Sequence, residues 1–333
     1  MLYLESLNSS LHIILKKNKD VIFIGEDILD PYGGAFKVSK GLSTAFPSQV
    51  ISTPISEAGI VGAATGMALR GLKPIVEIMF CDFLALAADQ IINHASKYNW
   101  MYNEKVSVPV LIRTSVGGRR GYGPTHSQSL ESIFMSIPGL EIVAPSIFHN
   151  PGKMIENLIK HIKKPTIFLE YKIDYSKQLH NDTFGNFSII REDTGDYNQN
   201  IILSLYPDEK PDILVITYGG NVSIAVEAAG KIFFDEEIIV NVCVLSSVKP
   251  IDVEFVTNSV KECGKVIILE EGNVVGGWGA EVSSIIHENS FDKLKYPVQR
   301  LGSMDIPIPS SGPIELEMLP SSDDLYLIFN KMS

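Results

Sequence analysis

Two side chains with acid–base chemistry lie in glycine-rich segments that follow apolar, strand-like runs. Glu57 lies in TPISEAGIVGAATGMALRG, residues 53–71, and His126 lies in GGRRGYGPTHSQS, residues 117–129. A carboxyl group can exchange a proton with a reacting group, and an imidazole can shuttle protons or donate to a developing alkoxide. Both residues are therefore candidates for catalysis. The alternative for Glu57 is a first-turn glutamate that only complements a helix dipole.

Strand-like and helical segments alternate in the first part of the chain and must position these residues. Short apolar runs predict strands at residues 21–25, 50–53, 74–80, 109–114, 140–145 and 165–170. Helical periodicity predicts helices over residues 57–70, 82–98, 126–137 and 152–163. Such alternation predicts a parallel sheet with helices on both faces.

The same alternation resumes after a polar stretch, which predicts two doubly wound α/β domains. Strands are predicted at residues 212–219, 238–244, 265–271 and 297–302, with helices over 223–234, 252–263 and 279–288. We assign residues 1–185 to the first domain and 211–333 to the second. Residues 186–210 form the predicted linker, in which short strands can also occur.

The predicted helix after residue 56 is unusually rich in small residues. Ser56 is its candidate N-cap, and glycines occupy positions 59, 62 and 66. Each glycine inside a helix costs up to about 1 kcal/mol against alanine, a cost that close approach of a helix or ligand would justify. Asp82 is a second candidate cap, for the helix predicted over residues 82–98.

The composition excludes several classes of protein. The 333 residues carry a net charge of −11, which argues against a nucleic-acid partner. Three cysteines without CxxC spacing argue against a zinc site or disulfide framework and fit a reducing compartment. The apolar region 55–92 is broken by charges, so we expect no membrane span. The amino terminus resembles neither a signal peptide nor a transit peptide, and we expect a cytoplasmic protein.

Several common catalytic motifs are absent from the sequence. There is no GxxxxGK[ST] loop, no GxGxxG after a strand, no GxSxG elbow and no HExxH. The chemistry must therefore come from a different type of site.

Several segments, in order along nearly the whole chain, resemble one enzyme family. They are GEDILDPYGGAFKVSKGL, TPISE with its glycine-rich helix, EIMFCDFLALAADQIINHASKY, GGRRGYGPTHSQS, PGLEIVAPS, LEEGNVVGGWGAEV and PIPSSGPIELEMLPS. The chain resembles the beta subunit of the thiamine-diphosphate-dependent first component of 2-oxo acid dehydrogenase complexes. That resemblance implies a pyrimidine-binding, transketolase-like domain followed by a transketolase C-terminal-like domain.

The resemblance assigns a role to several residues. It implies that Glu57 meets the aminopyrimidine ring of thiamine diphosphate, with Phe83 and Ile55 also on the cofactor. It implies that His126 lies near the substrate carbonyl or the lipoyl arm. Arg119, Arg120 and Tyr122 belong to the expected substrate or lipoyl region. Ordinary core packing of Phe83 and a solvated loop around the two arginines are the alternatives.

Metal binding is expected mostly outside this chain. The family often binds potassium near the end of its first domain, but Asn150 stands here where an aspartate is usual. Thiamine enzymes hold diphosphate and magnesium through a GDG motif followed by an asparagine. GDY at Gly195 follows a polar stretch and does not match that motif. We therefore expect a partner alpha subunit to hold magnesium and the diphosphate.

The resemblance implies oxidative decarboxylation of a 2-oxo acid, with acyl transfer to lipoamide. The expected assembly is an alpha2beta2 heterotetramer that works with a lipoyl-bearing acyltransferase. Pyruvate, branched-chain 2-oxo acids, acetoin and a specialised biosynthetic substrate all remain open. The alternatives are a split transketolase-like or carboligase thiamine enzyme without lipoamide, and a non-catalytic subunit with the same fold.

Overall fold

The computed structural model describes residues 1–193 and 199–332 and shows two α/β units, each built on a seven-stranded sheet. The first unit contains strands β1 (Val21–Gly25), β2 (Val50–Ser52), β3 (Lys73–Ile78), β4 (Leu111–Val116), β5 (Glu141–Val143) and β6 (Thr166–Tyr171). Its helices are α1 (Tyr3–Lys17), α2 (Leu42–Ala45), α3 (Glu57–Leu69), α4 (Tyr98–Met101), α5 (Glu131–Met135) and α6 (Pro151–His161).

The second unit continues the alternation. Its segment of the chain contains strands β7 (Thr183–Phe184), β8 (Phe187–Asp193), β9 (Gln199–Ser204), β10 (Ile213–Tyr218), β11 (Val240–Leu245), β12 (Ser247–Lys249), β13 (Val266–Asn273) and β14 (Gln299–Ser303). The helices are α7 (Val222–Glu236), α8 (Val253–Cys263), α9 (Trp278–Ser290), α10 (Gly312–Met318) and α11 (Ser322–Met332).

Both sheets are mixed rather than fully parallel. The first has the order β12-β5-β6-β4-β3-β1-β2, and the second has the order β14-β13-β10-β11-β9-β8-β7. β12 pairs antiparallel with β5, and β7, β8 and β9 form antiparallel pairs at one edge. The predicted parallel sheets are thus extended by antiparallel strands at their edges, and β7 and β8 are antiparallel because a short connection such as Gly185–Asn186 can join only antiparallel neighbours.

The polar stretch between the two units is largely strand. β8 and β9 occupy much of the predicted linker, residues 186–210, and belong to the second sheet. Together with the edge strand β7 they form the antiparallel side of that sheet, where residues such as Ile190 and Glu192 are exposed. The domain boundaries at residues 185 and 211 stay a prediction. The GDY segment at Gly195 lies outside the described residues.

Two of the predicted helices are irregular or short. Residues 82–98 form a 3₁₀ turn at Cys81–Ala85 and a π-helix at Gln90–Ala95 in place of one α-helix. Ser96 Oγ donates to the Ile92 carbonyl at 2.9 Å, a local bond that bends helices. The helix predicted over residues 126–137 is reduced to α5, because the residues before it are held in a loop.

The two units share a continuous apolar core. Both buried clusters include residues of the first sheet and of the second sheet. Tyr171 at the end of β6 packs directly on a backbone turn of the second unit. A Cβ atom added to Gly219 would lie 2.1 Å from Tyr171 Cε2, so only glycine fits there. The units are therefore in close contact at this point.

The three cysteines are free and buried. Over residues 1–193 and 199–332, no helix combines the length and apolar character that crossing a membrane requires.

A buried charge network crosses three neighbouring strands of the first sheet. Arg113 on β4 donates to Glu77 on β3 and, at 2.8 and 2.5 Å, to both oxygens of Glu170 on β6. Burial works against the Arg113 charge, but Glu170 and Glu77 outweigh it and raise the pKa of Arg113. Burial raises the pKa of Glu77 to about 7 in spite of the neighbouring cation. Arg113 is thus the charge that makes burial of both carboxyl groups tolerable.

We predict that Arg113→Met lowers the free energy of unfolding by about 3–5 kcal/mol, because two carboxyl groups would be left buried without a cation. Urea unfolding at pH 8, followed by circular dichroism, measures the loss. Arg70→Met is the matched control, since Arg70 is exposed, and should change stability by less than about 0.5 kcal/mol. Equal stability of the two variants would contradict the assignment.

Candidate active site

Four adjacent strands of the first sheet end at one edge, and each is followed by a segment with candidate site residues. β2, β1, β3 and β4 are parallel neighbours, so their carboxyl ends meet at the same edge. Ligands of open α/β sheets bind at that edge. The segments that follow these strands contain Glu57, Glu26, Phe83 and His126 respectively.

Glu57 is the first residue of α3 and is only 5% exposed. Glu26, which follows β1, is buried to the same degree. Burial raises the pKa of Glu26, and the negative charges of Glu57 and Asp27 raise it further. Ser56 occupies the N-cap position of α3, as predicted, but its side chain makes no capping hydrogen bond. Two buried carboxyl groups thus lie within electrostatic reach of each other.

The outer face of α3 is open and formed by small residues. Ala58, Gly59, Ala63 and Gly66 are exposed, whereas the opposite face is packed in the core. Among the residues that the structure describes, a Cβ atom added to Gly66 would meet no atom within 4 Å. Ile55, just before the helix, is 79% exposed. This face is therefore open to close approach by another molecule.

Phe83 and His126 belong to one group of aromatic rings. The His126 ring packs edge-on against Phe80 and Phe83, with centroid distances of 4.7 and 5.3 Å. Tyr122 lies farther out, 6.2 Å from Phe80 and 44% exposed. The rings restrict the orientation of the imidazole, and the structure brings Phe83 and His126 together at this edge.

The loop that carries His126 is held by side chains from several elements. Lys172 Nζ donates to the His126 carbonyl at 2.7 Å, and Thr125 Oγ1 lies 2.9 Å from His126 Nδ1. Asp82 Oδ1 accepts from Gln128 Nε2 at 2.8 Å. Asp82 therefore does not cap the following segment, as its position suggested, but contacts the loop.

Arg119 and Arg120 bind backbone carbonyls rather than pointing into open solvent. Arg119 Nη2 donates to the Pro320 carbonyl at 2.6 Å, and Arg120 Nη2 donates to the Lys172 carbonyl at 2.7 Å. Both guanidinium groups are thereby tied to neighbouring segments. Their role toward substrate or lipoyl groups stays a prediction.

Asn150 uses its side-chain oxygen as a helix cap. Asn150 Oδ1 accepts from Lys153 N at 3.0 Å and from Ser6 Oγ at 2.8 Å at the start of α6. Across the described part of the chain, no group of three or more His, Cys, Asp or Glu side chains is arranged to hold a metal ion. A potassium ion bound by Asn150 Oδ1 would compete with these two hydrogen bonds, and the predicted potassium site stays a prediction.

Comparisons with known proteins agree with this arrangement. A family model described as "Transketolase, pyrimidine binding domain" matches residues 2–178, and "Transketolase, C-terminal domain" matches residues 205–325. Pyruvate dehydrogenase E1 component subunit beta of Rickettsia bellii is 32% identical over 98% of this chain and 97% of its own length. The 2-oxoisovalerate dehydrogenase subunit beta of Pseudomonas aeruginosa is 35% identical over 93% of this chain and 89% of its own length.

This chain belongs to the family of 2-oxo acid dehydrogenase E1 beta subunits. The predicted fold is also confirmed by solved structures. A split gene transketolase, titled an inactive beta4 tetramer, has a TM-score of 0.77 and 21% identity, covering 100% of this chain and 98% of that chain. At that level of identity the likeness concerns the fold alone.

Several side chains around the E1 beta site were not found from the sequence. Glu26 directly follows a predicted strand, in the same type of position as Glu57, and that position could have identified it. Phe80 was seen only as the end of a strand. Lys172, Glu271 and Glu315 contact the His126 loop from distant parts of the chain. No local sequence pattern marks them.

We predict that Glu57→Gln lowers the pKa of Glu26, because the substitution removes a nearby negative charge. NMR titration of ¹³C-labelled glutamate side chains, with the Glu26 signal assigned from Glu26→Gln, measures the change. Glu57→Asp is the matched control, since it keeps the negative charge and should keep most of the increase in the pKa of Glu26. An unchanged Glu26 pKa in Glu57→Gln would contradict the coupling.

Proposed function

We propose that this chain is the catalytic beta subunit of an E1 enzyme that oxidatively decarboxylates a 2-oxo acid and passes the acyl group to lipoamide. The observation that carries the proposal is the buried Glu57 carboxyl at the edge where Phe83 and His126 also meet. The E1 beta relatives supply the reaction class. The enzyme would work in the cytoplasm with an alpha subunit and a lipoyl-bearing acyltransferase.

The residues at this edge fit one half of thiamine diphosphate. When bound, the cofactor supplies an electron sink for decarboxylation. Glu57 offers a carboxyl to a ring nitrogen of the pyrimidine, and Phe83 and the exposed Ile55 offer apolar surface to its faces. A flat heteroaromatic ring needs this combination of one polar contact and apolar walls.

His126 is suited to work on the substrate side of the same site. Its Nδ1 is engaged with Thr125 Oγ1, and its ring is held edge-on by Phe80 and Phe83. An imidazole held in this way can donate to an oxygen that gains charge or carry a proton during acyl transfer. We assign this role to His126, with Tyr122, Arg119 and Arg120 around it.

The partner would complete the other half of the site. Exposed apolar side chains surround the edge, including Ile55 at 79% and Leu86 at 61%, and the outer face of α3 is open to a closely packed helix. Burying such a surface favours association. We assign diphosphate and magnesium binding to the alpha subunit and the assembly to an alpha2beta2 heterotetramer.

The substrate is a small 2-oxo acid, and two classes remain. The relatives include both a pyruvate and a 2-oxoisovalerate dehydrogenase subunit, at 32% and 35% identity. These values are too similar to choose between pyruvate and branched-chain substrates.

We predict that Glu57→Gln lowers kcat of the assembled enzyme by about 10²–10⁴-fold, because proton transfer at the cofactor loses its acid–base group. Decarboxylation coupled to an artificial electron acceptor measures the effect. Glu281→Gln is the matched control, since Glu281 is an exposed first-turn glutamate of α9 and should leave kcat unchanged. Full activity of a correctly assembled Glu57→Gln enzyme would refute the proposal.

The acceptor is tested separately on the unaltered enzyme. Acyl transfer to a free lipoyl domain supports the E1 reaction. Carbon–carbon bond formation with an aldehyde acceptor, without transfer to the lipoyl domain, would instead support the carboligase or split-transketolase alternative. An assembled complex with neither activity would indicate a non-catalytic subunit.

A further inference from the structure

Residues 117–129 form the loop that carries His126. The hydrogen bonds within this loop are too weak to fix its backbone conformation. Gly117, Arg119, Gly121 and Gly123 all have positive φ, between +68° and +88°. The backbone bonds made within the loop are long, with Gly117 N to Gln128 O at 3.4 Å and His126 N to Gly123 O at 3.3 Å. Groups outside the loop must therefore stabilise this conformation.

Two carboxylates of the second unit bind backbone amides of this loop. Glu271 on β13 accepts from Gly118 N at 2.6 Å, and Glu315 on α10 accepts from Gly121 N at 2.7 Å. Glu271 is 3% exposed and Glu315 is fully buried. Hydrogen bonds from an amide to a buried carboxylate are among the stronger ones in proteins.

The loop also packs tightly on the segment around α10. A Cβ atom added to Gly118 would lie 2.8 Å from Leu319 Cδ1 and 2.9 Å from Glu315 Oε1. A Cβ atom added to Gly123 would lie 2.5 Å from Ser310 Oγ. Gly118 and Gly123 thus leave room for side chains of the second unit, and Gly123 also has positive φ.

The same contacts reach His126 through a buried lysine. Lys172 Nζ donates to the His126 carbonyl and lies 5.3 Å from the centre of the Phe80 ring. Burial lowers the pKa of Lys172, while the charges of Asp82, Glu271 and Glu315 act in the opposite direction. Lys172 therefore holds the His126 backbone, and the negative charges of Asp82, Glu271 and Glu315 favour its charged form.

We propose that Glu315 and Glu271 are positioning residues. They hold the loop from the second unit and thereby fix the position of His126. In each carboxyl group one oxygen accepts from a loop amide, Glu271 Oε1 from Gly118 N and Glu315 Oε2 from Gly121 N, and this contact requires no contact with substrate. The proposal rests on the function proposed above for His126, but the hold on the loop itself can be measured without catalysis.

The test is hydrogen–deuterium exchange of the full chain, read on the amides of residues 117–129. Glu315→Ala should speed exchange in this loop by at least about tenfold, because Gly121 N loses its acceptor. Exchange in α3 should not change. Glu315→Gln keeps an acceptor oxygen, so its loop amides should exchange at nearly the rate of the unaltered chain. Glu317→Ala, on the exposed face of the same helix, is the matched control.

Activity of the assembled enzyme provides the second readout. Glu315→Ala should lower kcat by about tenfold without weakening cofactor binding, and Glu315→Gln should restore most of it. If Glu315→Ala does not fold, Arg119→Ala replaces it, since this partly exposed side chain holds the loop to the Pro320 carbonyl.

Loop exchange in Glu315→Ala equal to that of Glu317→Ala would overturn the proposal. A separate result bears on the proposed function alone. If His126→Ala keeps full turnover while Glu315→Ala still loosens the loop, the positioning contact stands and the catalytic role of His126 is wrong.

Discussion

The parallel pairing of β2, β1, β3 and β4 is the constraint on which the candidate site depends. Parallel strands deliver every following segment to one edge, so Glu57, Glu26, Phe83 and His126 meet there although they are far apart in the chain. Arg113 supports that arrangement from inside the sheet, because it neutralises carboxylates on the strands at either side of β4. The position of the site follows from the sheet.

The second unit contributes contacts to the candidate site in the first unit. Its core is continuous with that of the first unit, and its carboxylates reach the His126 loop. Different parts of the molecule therefore position different residues of the candidate site. The first sheet positions Glu57 and Phe83 through its own loops, whereas the place of His126 depends on contacts across the boundary between the units. A mutation in α10 can therefore act on chemistry in the first unit.

Local patterns predicted the elements well where the contacts that shape them are local. α3 begins at Glu57 as expected, because a strand, a turn and a helical pattern follow one another in the chain. The segment 82–98 was predicted poorly, since it forms a 3₁₀ turn and a π-helix, and Asp82 bonds to the distant Gln128 rather than capping a helix. Glu271 and Glu315 could not be predicted, because they bind amides 153 and 194 positions away.

The central claim is that this E1 beta chain holds only the pyrimidine half of a cofactor site. The most direct test is calorimetry of thiamine diphosphate with magnesium, on the chain alone and then mixed with an alpha subunit that carries GDG followed by asparagine. We predict binding at least about a hundredfold tighter in the mixture, since only then are both ends of the cofactor held. Equally tight binding to the chain alone would contradict the claim.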